Sequence, residues 1–206
     1  MKQKTRSALT RQRILDAAMA EFSSKGYEGA SLNAACAENG FSKGVVYYHF
    51  KDKNELYLLC VQRCFNAVTE RLKEAEACLS GTAEERLRSY FDARLRFFTQ
   101  NPLYLGVFAG AAFRPPAELA AEVDARRKEF DRLNLSVLTS LLEGKKLRIG
   151  LSPSIIAEDL KMYMDYLDMR LCGAMHQGAS TEQVMLDYEE RYHRQIGILL
   201  HGVFGE

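Results

Sequence analysis

The chain of 206 residues is 47% hydrophobic, 27% charged and formally +1, which supplies a sizeable packed core and excludes an intrinsically disordered protein. No run of about 18 apolar residues occurs, and the opening MKQKTRSALTRQR is charged without the apolar stretch of a secretory leader. A soluble, cytoplasmic protein with no membrane partner is expected. The near-neutral total hides an asymmetry: residues 1–55 hold 9 Lys and Arg against 6 Asp and Glu, and the remainder holds 19 against 21. Five cations (Lys2, Lys4, Arg6, Arg11, Arg13) and no acid fall in the first thirteen residues, the form of a phosphate-seeking arm and equally of a solvated tail.

Helical periodicity dominates and no useful alternating strand pattern is present, so the fold class is all-α. The first helix is predicted to start after Thr10 as N-cap, to carry Ile14, Ala18 and Phe22 on one stripe beside Leu15 and Met19, and to stop at Gly26. Ser31 caps a short second helix ending near Asn39 and Gly40. Ser42 caps a third, Lys43 to His49, and Asp52 with Glu55 resembles a capping box at the start of a fourth. Longer helices follow: about 56–78, then 83–99 opened by Thr82 with Glu85 and closed at Asn101-Pro102, then the apolar stretch 103–113 before Pro115-Pro116. A long helix runs to about Glu143, stopped by Gly144; Ser152-Pro153 opens the next, and Ser180 with Gln183 the last. The count is about nine helices, with an N-terminal domain over 1–55 and a larger helical body over 56–206.

Five scattered cysteines (Cys36, Cys60, Cys64, Cys78, Cys172) form no C-x-x-C pair and have no histidines at metal-ligand spacing. Reduced, mostly buried thiols are expected, with no metal and no cofactor. Catalysis is not expected either: no G-x-S-x-G, H-E-x-x-H or phosphate-cradling glycine loop occurs, and spacing gives His49, His176, His193 and His201 no acid or nucleophile partner.

Helices two and three, separated by Gly40-Phe41, have the length and turn chemistry of a helix-turn-helix, whose second helix enters the major groove of DNA. In that role Lys43 reaches a guanine edge or a phosphate, Gly44 permits close backbone approach, and Val45 packs on a thymine methyl. Tyr47, Tyr48, His49 and Lys53 are donors suited to phosphate oxygens. Val46 and Phe50, four apart, should face the core. On periodicity alone, Tyr47, Tyr48 and His49 are equally open to half-buried packing.

The segment GYEGASLNAACAENGFSKGVVYYHFKDKNELY resembles the DNA-binding region of the TetR family of transcriptional regulators, whose pattern runs S-K-G-x-[LV]-Y-x-[HY]-F-x-x-K-x-x-L. Ser42, Lys43, Gly44, Val46, Tyr47, His49, Phe50, Lys53 and Leu56 match it. The resemblance covers roughly residues 10–60 and implies base or groove contact by Lys43, Gly44 and Val45, with phosphate contact by Ser31, Ser42, Tyr47, Tyr48, His49 and Lys53. Two departures stand out. Ala35-Cys36 replaces the family's usual isoleucine-alanine pair, which is expected to loosen helix two against helix three, and Val45 stands where a polar residue is common, so no base preference is inherited.

The resemblance further implies a palindromic double-stranded operator and a small-molecule effector held in the C-terminal body. Candidate lining residues are Phe65, Tyr90, Phe91, Phe97, Tyr104, Phe108, Phe130, Tyr163 and Tyr166, with Asp92, Arg94 and Asp165 as polar neighbours. The last two helices point to self-association. In the first, Ile156, Leu160, Tyr163, Leu167 and Leu171 form one apolar stripe and Ile155, Met162, Tyr166 and Met169 a second; in the other, Val184, Tyr188, Tyr192, Ile196, Leu199 and Val203 recur at helical spacing. A helix apolar on two sides needs two packing partners, and a second copy of the chain supplies one. Ile156, Tyr163, Leu167 and the six residues of the last helix are therefore candidates for a homodimer interface. The expected function is a dimeric, sequence-specific DNA-binding regulator, a repressor released by its ligand. The alternative is a TetR-like coactivator that acts through a protein partner and has lost DNA binding.

Overall fold

The computed structural model describes residues 2–177 and, beyond them, 180, 186, 188–191, 193–195, 197–198 and 202. The described elements are α1 (Lys2–Gly29), α2 (Leu32–Glu38), α3 (Lys43–His49), α4 (Lys53–Ala77), α5 (Ala83–Gln100), α6 (Pro102–Phe113), a 3-10 turn (Ala117–Leu119), α7 (Ala120–Leu142) and α8 (Pro153–His176). No strand forms among the described residues, and none of their helices is long and apolar enough to cross a membrane. The chain is all-α. Most of the predicted last helix, with Val184, Tyr192, Ile196, Leu199 and Val203, lies outside the described residues.

The local signals set most boundaries. Ser31, Ser42 and Ser152 each accept a hydrogen bond from the backbone N–H three residues on, and Thr82 and Glu85 satisfy one another's N–H groups in a reciprocal capping box. At the start of α4, Asp52 accepts from the Glu55 N–H, while the Glu55 carboxylate turns back to the Lys51 N–H rather than to that of Asp52. The first helix departs from expectation at both ends. It begins at Lys2, and Thr10 sits inside it with its hydroxyl donating to the Arg6 carbonyl, four residues back, so it caps nothing. Gly26 does break the helical geometry, at φ 67° and ψ −177°, but helical turns resume as far as Gly29. The basic arm is thus the first turns of a helix.

The chain packs as two compact units, one comprising residues 1–66 and 101–127 and the other residues 67–100 and 128–206. In the first, Ile14, Leu15, Ala18, Met19 and Phe22 of α1 are buried, as are Leu56, Tyr57, Cys60, Cys64 and Phe65 of α4 and Leu105, Val107 and Phe108 of α6. Arg63 ties three helices together: it pairs with Asp16 of α1 and donates from Nε to the Tyr104 hydroxyl of α6 at 3.1 Å. α1 and α6 approach closely at Gly106. A Cβ on Gly106 would lie 2.1 Å from Ser23 Oγ and 2.6 Å from the Ser23 carbonyl oxygen.

The second unit buries Leu87, Tyr90, Phe91, Phe97 and Phe98 of α5, Phe130, Val137 and Leu138 of α7, and Ile156, Leu160, Met164, Leu167 and Leu171 of α8. Inside this apolar set sits a charge network. Arg94 is fully buried, donates from Nε to Asp168 at 2.7 Å and from Nη2 to Asp165 at 2.8 Å, and lies over the Phe130 ring. Asn134 accepts from Arg94 and Tyr90 and donates to the Phe130 carbonyl. Lys161 bridges Asp165 and Asp131 at 2.9 and 3.0 Å. Burial would lower the Arg94 pKa, and the carboxylates of Asp168 and Asp165 more than reverse it, so the guanidinium stays charged.

Two outcomes follow from this packing. Gly106→Ala forces α1 and α6 apart against backbone and should cost about 1–3 kcal/mol in urea denaturation; an unchanged midpoint would contradict the close approach. Arg94→Met leaves two buried carboxylates short of a counter-charge and should cost about 3–5 kcal/mol, as removal of one partner of a buried pair does. A loss below about 1 kcal/mol would show that the network does not hold α5 to α8.

Candidate nucleic-acid interface and effector cavity

α2 and α3 form a compact turn. The Cys36 carbonyl accepts from the N–H groups of both Asn39 and Phe41, at 3.2 and 2.8 Å, the Asn39 amide side chain donates to the Ala35 carbonyl at 2.8 Å, and Gly40 supplies the left-handed residue at φ 74°. Ala35 and Cys36 are both buried, so the small pair that replaces the expected aliphatic anchor still seats α2. The entry to α2 is fixed from α1: the Ser31 N–H donates to Glu21 Oε1 at 2.8 Å, and Lys25 pairs with the same carboxylate at 2.9 Å. Burial by itself would raise the Glu21 pKa, but the Ser31 N–H and the Lys25 ammonium outweigh it and hold the carboxyl below its ordinary value.

α3 divides its residues by face. Val46 and the capping Phe50 are buried. Lys43, Gly44, Val45, Tyr47 and Tyr48 are exposed, Tyr47 at 50% and Tyr48 at 80%, and His49 is half-buried with its ring 5.0 Å from that of Tyr48. The half-buried packing considered for the two tyrosines is not what the chain does with them. Lys43 Nζ stands 5.7 Å from the Tyr47 ring. Lys53 lies over the Tyr27 ring at 4.6 Å with its ammonium at 3.5 Å from the Glu28 carbonyl. Ser31 and Ser42 are exposed and use their hydroxyl oxygens as cap acceptors, which leaves each hydroxyl proton to donate outward. A Cβ at Gly44 would meet nothing within 4 Å, and its φ is not positive, so no contact within the chain requires glycine there. All nine residues singled out for DNA contact fall on this one helix-turn-helix and its flanks.

The candidates for an effector cavity scatter. Phe65, Tyr104 and Phe108 belong to the first unit, where Phe65 packs edge-on against Phe108 at 5.5 Å. Tyr90, Phe97 and Phe130 are core rings of the second, Tyr163 is half-buried, and Tyr166 is exposed. Phe91 lines a cavity in the second unit. Phe91, Asp92, Arg94 and Leu95 of α5 form one wall, and Met164, Leu167 and Asp168 of α8 another, with Tyr188 completing it. The polar neighbours Asp92 and Arg94 are present. His193 joins Asp92 at 3.6 Å, a pairing across 101 positions that spacing does not reveal. Burial raises the Asp92 pKa although His193 and Arg96 oppose it.

The two stripes of α8 separate in the same way. Ile156 and Leu167, candidates for a subunit interface, are in the unit's own core, whereas Ile155, Met162, Tyr166 and Met169 are exposed, Met162 at 63%. Tyr188 donates its hydroxyl to the Leu167 carbonyl. Among the described residues no group of three or more His, Cys, Asp or Glu is placed to hold a metal ion; Cys36, Cys60 and Cys64 are buried, Cys172 half-buried and Cys78 exposed.

The chain is similar to known proteins in sequence and in fold. Residues 14–60 match the family described as bacterial regulatory proteins, tetR family. The chain is 26% identical over 190 residues to the HTH-type transcriptional regulator BetI of Proteus mirabilis, covering 80% of this chain and 92% of that protein. It is 30% identical over 123 residues to the HTH-type transcriptional repressor KstR of Mycolicibacterium smegmatis, covering 60% of each, and 38% identical over 56 residues to the biofilm operon icaADBC HTH-type negative transcriptional regulator IcaR of Staphylococcus epidermidis, 27% of this chain and 30% of that one. In fold it is similar to the transcriptional regulator FadR from Bacillus subtilis in complex with stearoyl-CoA, with a TM-score of 0.71 at 16% identity over 90% of this chain and 96% of that one. The ketosteroid transcriptional regulator KstR2 of Mycobacterium tuberculosis gives 0.66 at 18% identity, over 95% of each. The helix-turn-helix buries Val46 and Phe50 and exposes Lys43, Tyr47 and Tyr48; it lies within the residues that match the tetR family of bacterial regulatory proteins, and the all-α chain has the fold of the regulators named above.

Proposed function

We propose that this chain is a cytoplasmic, dimeric, sequence-specific DNA-binding repressor, with residues 1–55 as the DNA-binding domain and residues 56–206 as the body that binds a small effector and pairs two copies. The observation that carries the reading is the division of α3: Val46 and Phe50 buried, Lys43 through Val45 and Tyr47 and Tyr48 exposed. Solvent gives a soluble protein no reason to present two adjacent tyrosines on a seven-residue helix, whereas a phosphate-lined groove does. Lys43, Gly44 and Val45 meet bases; Ser31, Ser42, Tyr47, Tyr48, His49 and Lys53 hold the backbone on either side. The coactivator alternative draws on the Ala35-Cys36 departure in α2 and on the modest net charge; the hydrogen-bonded turn at Cys36, with Ala35 and Cys36 buried, favours the DNA-binding reading over it.

The effector end is supported by the cavity between α5 and α8, apolar at Phe91, Leu95, Met164 and Leu167 and polar at Asp92, Arg94 and Asp168. An effector that binds the DNA-incompetent conformation a hundredfold better shifts the equilibrium by about 2.7 kcal/mol. The palindromic operator follows from pairing two copies, for which the exposed stripe Ile155, Met162, Tyr166 and Met169 offers an apolar face. The regulators it resembles are not enzymes by name, and no catalytic constellation is invoked.

Fluorescence anisotropy on a duplex selected from a random library tests the reading. Log affinity should fall linearly with log salt concentration; a flat salt dependence would sink it. Lys43→Ala should change base preference, whereas Lys53→Ala should weaken all sequences alike and flatten the salt slope, and equal effects from both would contradict the division of roles. Gly44→Ala should stabilise the fold by up to about 1 kcal/mol because its Cβ meets open space, yet weaken DNA binding by blocking close approach. Unchanged binding would show that Gly44 faces no DNA.

A further inference from the structure

We propose that Arg11 and Arg13 are a pair of backbone-phosphate clamps at the two ends of α3, a contact set that rests on the DNA-binding reading and extends it to α1. Phe41 precedes α3 and Phe50 caps its end. The Arg11 guanidinium lies over the Phe50 ring, 4.8 Å from its centroid, and that of Arg13 over the Phe41 ring at 5.1 Å. Residues two apart on a helix diverge by roughly 200°, so a single turn of α1 sends one guanidinium to each end of the seven-residue helix.

Both arginines are exposed, and neither has a hydrogen-bond or ion-pair partner among the described residues. Other cations of the same unit are committed: Arg63 to Asp16 and Tyr104, Lys25 to Glu21. The acid nearest in sequence to the pair, Asp16, is already engaged by Arg63 and by the Gln12 amide. A guanidinium lying on an aromatic face keeps its five N–H donors in its own plane, directed past the ring edge. These two groups therefore rest on the rings at the two ends of α3, with their donors unspent. A planar donor fork beside a groove-reading helix suits a bidentate anionic acceptor, which on duplex DNA is the backbone phosphate. The placement would join phosphate contact to helix position, because the side chain over Phe50 or Phe41 would set how far α3 stands from the strand it grips.

The simpler role, that of lids over two apolar rings, is separable by experiment. Arg11→Met and Arg13→Met keep an apolar stem over each ring and remove the charge and the fork. Each should make the slope of log affinity against log salt shallower by about 0.9, weaken a selected and a random duplex by the same factor, and leave the melting temperature of the protein alone. Arg11→Lys and Arg13→Lys should retain the slope and lose affinity severalfold, since an ammonium keeps the charge without the bidentate geometry. A slope unchanged in the Met variants, whether or not the melting temperature falls, overturns the clamp and leaves the arginines as lids. Failure of the unaltered protein to select any duplex would instead defeat the DNA-binding reading, and the clamp with it.

Discussion

A seven-residue helix has no independent stability in water, because the cost of nucleating it exceeds what two turns return. α3 therefore exists only while something holds it, and the holding must leave one face free. The chain does this with two buried side chains, Val46 and Phe50, a serine cap at the start, and the Phe50 N–H closing on the Val46 carbonyl at the end. Everything outside that seat is available to a partner. The position of α2 depends on the same economy: the Glu21 carboxylate on α1 receives the Ser31 N–H, so the cap residue that starts α2 is itself anchored to the long helix behind it.

The body of the second unit solves a different problem. A cavity needs walls that do not collapse, and an apolar cavity among mobile rings would close. Arg94, held by Asp165 and Asp168 from α8 and by Asn134 from α7, sets the spacing of three helices by hydrogen bonds of defined length rather than by side-chain volume alone. Its own side chain then forms part of the cavity wall. Structural bracing and cavity lining coincide in one residue, so an occupant of the cavity would meet the side chain that spaces the helices.

Much of this was legible before any coordinates. Caps at Ser31, Ser42, Thr82 and Ser152 were readable because a side-chain acceptor three residues before an unsatisfied N–H is a local feature. The exposed face of α3 was readable because its pattern is continuous in sequence. What was not legible was non-local or decided by competition. Thr10 has the chemistry of a cap, but its hydroxyl found the Arg6 carbonyl, and the helix ran back to Lys2. The rings proposed for the cavity are mostly buried, and helical spacing marks burial without marking what the burial faces. Arg94 with Asp165 and Asp168, and Asp92 with His193, join residues 71, 74 and 101 positions apart, beyond the reach of any periodicity. The two stripes of α8 were both visible, and only packing could assign one inward and the other outward.

The central claim is that α3 lies in the major groove with Lys43 at its leading end. Dimethyl sulfate modifies guanine N7 in that groove, so protection of a selected operator tests the claim directly. The account predicts protected guanines in two half-sites about one helical turn apart, with protection at the Lys43-facing guanine lost in Lys43→Ala while the complex persists. Full methylation of every guanine in a complex that demonstrably holds the DNA would contradict it.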